Sequence, residues 1–168
     1  DYYFKEGVTY SGSGSKGTSF REFPKDCLFE VGGSCIFPTE KYNNRFYLLA
    51  FLNTSLCFYI ADCLNPTVNT QVGDMQRVPF IIPSEQKEFV VTNLAKRNIA
   101  LKKTINSYSL IEKGYTHTPI GTTNHPAEEI LRFFGYENAL LTQILLNEAI
   151  INRIVFDVYE LSDHDRQM

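Results

Sequence analysis

Residues 84–108 read SEQKEFVVTNLAKRNIALKKTINSY, and this stretch decides the fold. Its apolar side chains recur at the a and d positions of a heptad repeat, the pattern of a helix that packs against another helix. These positions hold Val91, Leu94, Leu101, Ile105 and Tyr108. Asn98 takes an a position, where a polar residue fixes the register of packed helices. We predict a helix of roughly 37 Å, at ~1.5 Å per residue, with Ser84 as its N-cap.

A helix of this length needs a partner, and the C-terminal region offers one. Between Glu137 and Leu161 the apolar residues fall on one broad helical face. They are Leu140, Leu141, Ile144, Leu145, Ile151, Ile154, Val155, Val158 and Leu161. The sequence therefore predicts two long antiparallel helices.

The residues before this pair alternate between short helices and short strands. Apolar periodicity predicts one helix that ends at Asn53 and a second, capped by Thr54 or Ser55, that runs to Leu64. Strand composition occurs at residues 7–10, 27–31, 35–37 and 78–82. We predict an α+β fold with a small, mostly antiparallel β-domain that carries inserted short helices, followed by the long antiparallel helices. The expected divisions are residues 1–82, the long helix over 83–113, and a linker with a C-terminal helical segment over 114–168.

The segment Asn65–Pro79 reads NPTVNTQVGDMQRVP and concentrates amide and guanidinium side chains. Such groups present donors and acceptors in one plane, which suits hydrogen bonding to base edges, Asn or Gln to adenine and Arg to guanine. The candidate base-reading residues are Asn69, Gln71 and Arg77, while Asn65 is assigned to the turn that it forms with Pro66. The alternative is structural, because Asn-Pro and Gly-Asp form turns and loop amides often bond their own backbone.

A second loop, Ser11–Ser19, reads SGSGSKGTS and predicts a flexible connection. It is not a nucleotide-binding loop, because Lys16 precedes the second glycine of the required spacing and no parallel βα unit accompanies it. Hydroxyl, amide and cationic groups of this type hold phosphate backbones. The candidate phosphate contacts here and in the following strand are Ser13, Ser15, Lys16, Thr18, Arg21 and Lys25.

Charge and composition limit the function further. The net charge of −3 is unlike that of a free-standing nucleic-acid-binding protein, which is basic. Residues 81–113 carry six basic and three acidic side chains, whereas residues 114–168 carry three and eight. DNA affinity would therefore come from a local patch or from a longer parent protein. The chain starts without Met and ends in what reads as a new helix start, so we expect it to be a piece of such a parent.

No catalytic constellation can be assembled from the sequence. The three histidines lack a neighbouring nucleophile and metal-ligand spacing, and no cofactor loop occurs. Asn65-Pro66 begins like the Asn-Pro-Pro-Tyr motif of amino-methyltransferases, but Thr67 and Val68 follow in place of the stacking aromatic. We expect no catalytic residue, no metal and no cofactor within this chain.

Cysteine usage and hydropathy bear on the cellular compartment. The four cysteines sit in apolar surroundings without close pairs, which favours free, mostly buried thiols over a disulfide. No run of roughly 20 apolar residues and no signal-peptide pattern is present. We therefore expect a cytoplasmic protein that has no membrane partner.

These motifs, taken in order, resemble the C-terminal, non-catalytic half of the adenine-specific DNA methyltransferases of the BREX phage-defence systems, the PglX family. The matching segments cover nearly the whole chain, and the run through residues 64–79 is the most specific. They are Val8–Ser11, Phe20–Lys25 leading into Leu28–Val31, Leu48–Asn53, Leu64–Asn69, Gln71–Asp74, Val78–Pro79 and Asn147–Leu161.

The resemblance implies a target-recognition domain over residues 1–82, then a spacer helix and a C-terminal helical segment. The methyltransferase core, which uses S-adenosylmethionine, would lie in the parent and outside this chain. The implied partners are double-stranded DNA, the upstream methyltransferase core and subunits of the defence system. The alternative function is a protein–protein docking module, in which the heptad helix places the parent enzyme in a defence complex.

Overall fold

The computed structural model describes residues 2–13, 19–30, 32–67, 69–121 and 125–167, and it shows the expected α+β fold. Within these residues the strands are β1 (Gly7–Ser11), β2 (Phe20–Phe23) and β3 (Gly33–Ile36). The helices are α1 (Arg45–Leu52), α2 (Ser55–Leu64), α3 (Val72–Arg77), α4 (Glu85–Asn106) and α5 (Pro126–Val158). A short 3₁₀ helix, Asp165–Gln167, follows.

The sheet is antiparallel, with β1 in the centre of the order β2-β1-β3. Val8 pairs with Glu22 on one side and with Ile36 on the other. Gly7 is needed at its position, because a Cβ atom there would lie 2.7 Å from the carbonyl oxygen of Ile36. Alternate residues of β1, Val8 and Tyr10, are each 1% exposed and form the sheet's contribution to the core.

Polar side chains fix helix α1 against both the sheet and α4. Asn53, at the C-cap of α1, accepts a hydrogen bond from the Phe20 amide at 3.2 Å and donates to the Phe20 carbonyl at 3.0 Å. Asn44, at the N-cap, donates to Glu88 and to Thr92 of α4 at 2.8 Å each. Both ends of this short helix are therefore held by amide side chains.

The long helices α4 and α5 pack antiparallel, as the heptad pattern predicted. The ring of Tyr108, beyond the C-terminus of α4, lies 5.6 Å from Phe133 near the start of α5. Lys87, in the first turn of α4, donates to the carbonyl of Asp157 at the end of α5 at 3.1 Å. Between these contacts Asn147, 2% exposed, donates to the side chain of Asn98 at 2.7 Å. The polar residue of the heptad therefore has a polar partner.

Helix α5 begins at Pro126 and not at Glu137, so the predicted start was wrong. Proline suits the first helical position because it lacks an N–H that would have no partner there, and Glu128 and Glu129 place negative charge in the first turn. The helix ends at Val158, two residues before Glu160 takes a positive φ of 53°.

The predicted strand over residues 78–82 was also wrong. The segment is not paired with a strand, because Pro79 and Pro83 lack the N–H groups that a ladder needs. Phe80 instead enters an aromatic cluster with ring-centroid distances of 5.0 Å to Tyr42 and 5.3 Å to Phe51. Tyr159 donates its hydroxyl to the carbonyl of Pro79 at 2.5 Å. Aromatic packing and the hydroxyl of Tyr159, and not strand pairing, hold this segment.

The predicted strand over residues 27–31 is likewise not formed in its described part. Glu30 makes one isolated antiparallel bridge with Gly33, and residues 27–29 are irregular. Phe29 packs its ring against Phe23 and Phe37, at centroid distances of 6.2 Å and 5.5 Å. The apolar residues of this stretch serve an aromatic cluster, which a strand-like composition does not distinguish from a ladder.

Two further sequence-based expectations can be compared with the described residues. All four cysteines are free thiols, but only Cys57 is buried and Cys63 is exposed, so "mostly buried" was wrong.

Helix α5 is long and apolar enough to cross a membrane, and α1 with α2, bent by 66°, would count as a second such segment if taken together. This is weak evidence for a span, because the core helices of soluble proteins meet the same criterion.

The contact between Asn98 and Asn147 can be tested by matched alanine variants of α5. Asn147→Ala removes a buried amide and leaves Asn98 without this partner, so it should lower the free energy of unfolding by ~1–3 kcal/mol. Asn138→Ala makes the same chemical change at an exposed position of the same helix and should have little effect. Urea denaturation followed by circular dichroism measures both. Equal midpoints for the two variants would contradict the assigned role of the pair.

Candidate nucleic-acid interface

The amide-rich segment, residues 65–79, is ordered by the side chain of its first residue. Asn65 donates to the carbonyl of Asn69 at 2.9 Å and to the carboxylate of Asp74 at 2.7 Å. Its side-chain oxygen Oδ1 accepts from the backbone amide and the hydroxyl of Thr67, at 3.1 Å and 2.7 Å. Asn65 is thus committed to the turn, as the sequence predicted.

Asp74 lies in the first turn of the short helix α3, which sequence reasoning missed within this segment. Its carboxylate accepts from the backbone amide of Gln71 at 3.0 Å as well as from Asn65. The hydrogen bond from Asn65, and then that from Gln71, hold the pKa of the Asp74 carboxyl below its usual range. A helix of six residues is too short for apolar periodicity to indicate, so its capping acid was the one signal in the sequence.

The same segment is attached to the end of the sheet. The amide of Thr70 donates to the carbonyl of Gly12 at 2.8 Å, and Ser13 forms an antiparallel bridge with Asn69. Gly12 in turn donates from its amide to the carbonyl of Gly32 at 3.3 Å, just before β3. The backbone after β1 therefore lies between the amide-rich segment and the turn that leads into β3.

A cleft of about 770 Å³ opens where these three backbone stretches meet. Its described lining residues are Tyr3, Gly12, Ser13, Phe29, Glu30, Gly32, Ser34, Cys35, Asn69, Thr70, Gln71 and Val72. Tyr3 and Phe29 form an aromatic wall, with stacked rings 5.5 Å apart. Burial raises the pKa of the Cys35 thiol, so this group stays protonated at neutral pH.

Two of the three predicted base-reading residues meet at this cleft. Asn69 and Gln71 are exposed and both line it, together with Ser13 from the candidate phosphate set. Arg77 is exposed at the other end of α3, roughly 9 Å further along the helix axis, and is not among the lining residues. The described structure thus brings Ser13, Asn69 and Gln71 together and leaves Arg77 apart.

The remaining phosphate candidates are spread over the sheet. Arg21 is exposed on β2 and donates to the hydroxyl of Ser11 at 2.7 Å. Lys25 follows β2 beyond the pairing of Phe23 with Gly7, which is the end of the sheet opposite Ser13. Lys25 lines a separate depression together with Lys5 and Arg45. The predictions for Ser15, Lys16 and Thr18 lie outside the described residues.

Three lining residues, Tyr3, Phe29 and Glu30, were missed by sequence reasoning. They come from parts of the chain far from the amide-rich segment. Backbone contacts around Gly12 bring the turn that contains Glu30 to this segment, and Tyr3 stacks on Phe29 beside that turn. No group of three or more His, Cys, Asp or Glu side chains that could hold a metal occurs in the described parts of the chain.

The chain is similar in sequence to known adenine-specific methyltransferases. The chain is 28% identical over 162 residues to the adenine-specific methyltransferase BrxX of Escherichia coli O9:H4 (strain HS), which covers 94% of this chain. It is 25% identical over 170 residues to the adenine-specific methyltransferase PglX of Lacticaseibacillus casei (strain Zhang), which covers 95% of this chain. The resemblance to the adenine-specific methyltransferases of this family is thereby confirmed, while the part of the enzyme to which the chain corresponds stays a prediction.

The matches cover nearly the whole of this chain but only a small part of each relative. The chain spans 13% of the length of the first relative and 14% of the second, so it corresponds to a small part of such an enzyme. No family model matches the chain.

The ordering role of Asp74 leads to a prediction about the amide-rich segment. Asp74→Ala removes the acceptor of Asn65 and of the Gln71 amide, so trypsin should cleave faster after Arg77 while the unfolding midpoint changes little. Because the folded-state pKa of Asp74 is lowered, the local ordering that it gives the segment should be complete above its ordinary pKa, about 3.9, and should be lost as pH falls through the lowered value.

The matched control is Asp62→Ala, an exposed aspartate of α2. It should leave the rate of cleavage after Arg77 unchanged. If both variants are cleaved at the wild-type rate, the hydrogen bonds of Asp74 do not order the segment.

Proposed function

We propose that this chain is the DNA sequence-recognition part of an adenine-specific DNA methyltransferase or of a fused restriction–methylation enzyme. The observation that carries the proposal is the exposure of Asn69 and Gln71 at one cleft. Amides at such a site can make the paired hydrogen bonds that distinguish adenine from other bases in the major groove. The names of the two relatives, which concern adenine-specific methyl transfer, supply independent support.

The backbone that carries Asn69 and Gln71 at the cleft is held by hydrogen bonds, which also suits recognition. Asn65, Asp74 and the Thr70–Gly12 hydrogen bond hold the backbone of the amide-rich segment on a sheet. Side chains on a fixed backbone lose less conformational freedom on binding, which favours specific contacts. Ser13 beside them can donate to a phosphate oxygen and so set the position of the duplex.

The proposal assigns methyl transfer to the rest of a longer protein. In this division S-adenosylmethionine binds to the upstream core and not to this chain, and double-stranded DNA in the cytoplasm is the ligand. The net charge of −3 then makes the chain dependent on local cations, such as Arg21 and Lys25, for its phosphate contacts.

A second function is favoured by one specific feature, the outer face of α5. Large apolar side chains are exposed there, among them Leu131 at 70%, Leu145 at 64% and Phe134 at 52%. An exposed apolar face of this kind is typical of a protein–protein contact. Docking of the parent enzyme to subunits of a defence complex is therefore the alternative, and both functions are compatible in one protein.

The direct test of DNA recognition is the affinity of the chain for duplex DNA over a range of salt concentrations. We expect binding that weakens with salt, with a slope of about −0.9 for each phosphate contacted. Lys25→Ala should lower the magnitude of that slope by roughly one and weaken all sequences about equally; Lys113→Ala is the control. Absence of DNA binding by the wild-type chain would overturn this function and leave docking as the better account.

Base reading is tested by substituting two glutamines, Gln71 at the N-cap of α3 and Gln76 within α3. Gln71→Ala should relax specificity at one position of the recognised site, since a bidentate amide contact supplies ~1–3 kcal/mol of discrimination. Gln76→Ala removes the same side chain from a residue of α3 that does not line the cleft. The recognised sequence, read from methylated sites in the full-length enzyme, should change only for Gln71→Ala. An unchanged site in a folded Gln71→Ala protein would make this segment a scaffold.

A further inference from the structure

The cleft contains one feature that amide recognition does not use, the side chain of Glu30. Among the described lining residues it is the one carboxylate. Glu30 is an exposed residue, and its Oε1 atom lies 3.8 Å from the position that a Cβ atom on Gly32 would take. The carboxylate therefore lies beside the Glu30–Gly33 turn that borders the cleft.

The turn itself requires only the backbone of Glu30. The amide of Gly33 donates to the Glu30 carbonyl at 3.1 Å, and the two residues form an antiparallel bridge. Within the part of the chain that the structure describes, no ion pair involves this carboxylate. Local structure thus explains the position of Glu30 and leaves the choice of an acidic side chain unexplained.

A carboxylate is also unfavourable at a surface that binds DNA, unless it makes a specific contact. It repels phosphate groups, and bringing it against the duplex removes water from a charged group. Tyr3 and Phe29 increase this cost, because their stacked rings form an apolar wall of the same cleft. If this carboxylate contacts DNA, a hydrogen-bond donor on the DNA would offset that cost.

The bases differ sharply in what they offer to such an acceptor. An ionised carboxylate can only accept hydrogen bonds. In the major groove cytosine presents its N4 amino donor, whereas guanine and thymine present acceptors. Adenine presents its N6 donor next to its N7 acceptor. This arrangement suits an amide, which can donate and accept, better than a carboxylate, which can only accept.

We propose that Glu30 is a specificity-determining residue that accepts a hydrogen bond from N4 of cytosine in the major groove. The inference rests on the proposed DNA-recognition function and extends it. The cleft then reads two kinds of base, with Asn69 and Gln71 directed to adenine and Glu30 to cytosine. Guanine or thymine at the Glu30 position would place acceptor against acceptor and leave the carboxylate without a partner.

The experiment selects bound duplexes from a randomised pool with the wild-type chain, with Glu30→Gln and with Glu40→Gln. The wild-type motif should contain cytosine at one position. Glu30→Gln replaces an acceptor by an amide, so that position should change to adenine or lose its preference, with discrimination for cytosine falling roughly 5- to 150-fold. Affinity for unrelated sequences should not fall, since a negative charge is removed.

Glu40→Gln is the matched control, because Glu40 is an exposed acid that does not line the cleft. It should keep the wild-type motif. If Glu30→Gln selects the wild-type motif with cytosine intact, the inference about Glu30 is wrong and DNA recognition stands. If the wild-type chain selects no motif and binds no DNA, the proposed function fails and this inference fails with it.

Discussion

The hydrogen bond between Asn98 and Asn147 fixes the register of the two long helices, α4 and α5. The other elements pack around this helix pair. Asn147 is buried and has both halves of its amide satisfied, because it accepts from Gln143 at 2.9 Å and donates to Asn98 at 2.7 Å. A shift of one helix along the other would leave these groups unpaired in an apolar interface. The register of α4 on α5 is therefore fixed by polar complementarity as well as by packing.

The C-terminal end of the amide-rich segment is connected to this helix pair by Tyr159. Tyr159, just beyond α5, stacks on Phe51 of α1 with ring centroids 5.8 Å apart and binds the backbone of Pro79 and Ile81. The other end is held by Asn65 and by the contact of Thr70 with Gly12. The exposed residues between these anchors therefore lie on backbone that is tied to the core at one end and to the end of the sheet at the other.

The sequence was informative where the pattern is local. Heptad spacing and Asn98 predicted the helix pair, and the capping residues Asn53 and Thr54 divided α1 from α2 correctly. It failed where tertiary packing decides, since Phe80 and Phe29 gave strand-like composition but fill aromatic clusters. The sequence did not predict the cleft, but it singled out Asn69 and Gln71, which line it; their role in base reading stays a prediction. Glu30 reaches it through the pairing of β1 with β3, and Tyr3 through the stacking of its ring on Phe29, and no local pattern reveals either contact.

We propose that the amide-rich segment, residues 65–79, carries sequence recognition. The measurement that tests it most directly is methylome sequencing of a host that expresses the full-length protein, with this segment either native or exchanged for that of the Escherichia coli relative. We predict that the exchange changes the methylated motif while methylation continues. An unchanged motif, methylated to the same extent, would contradict the claim.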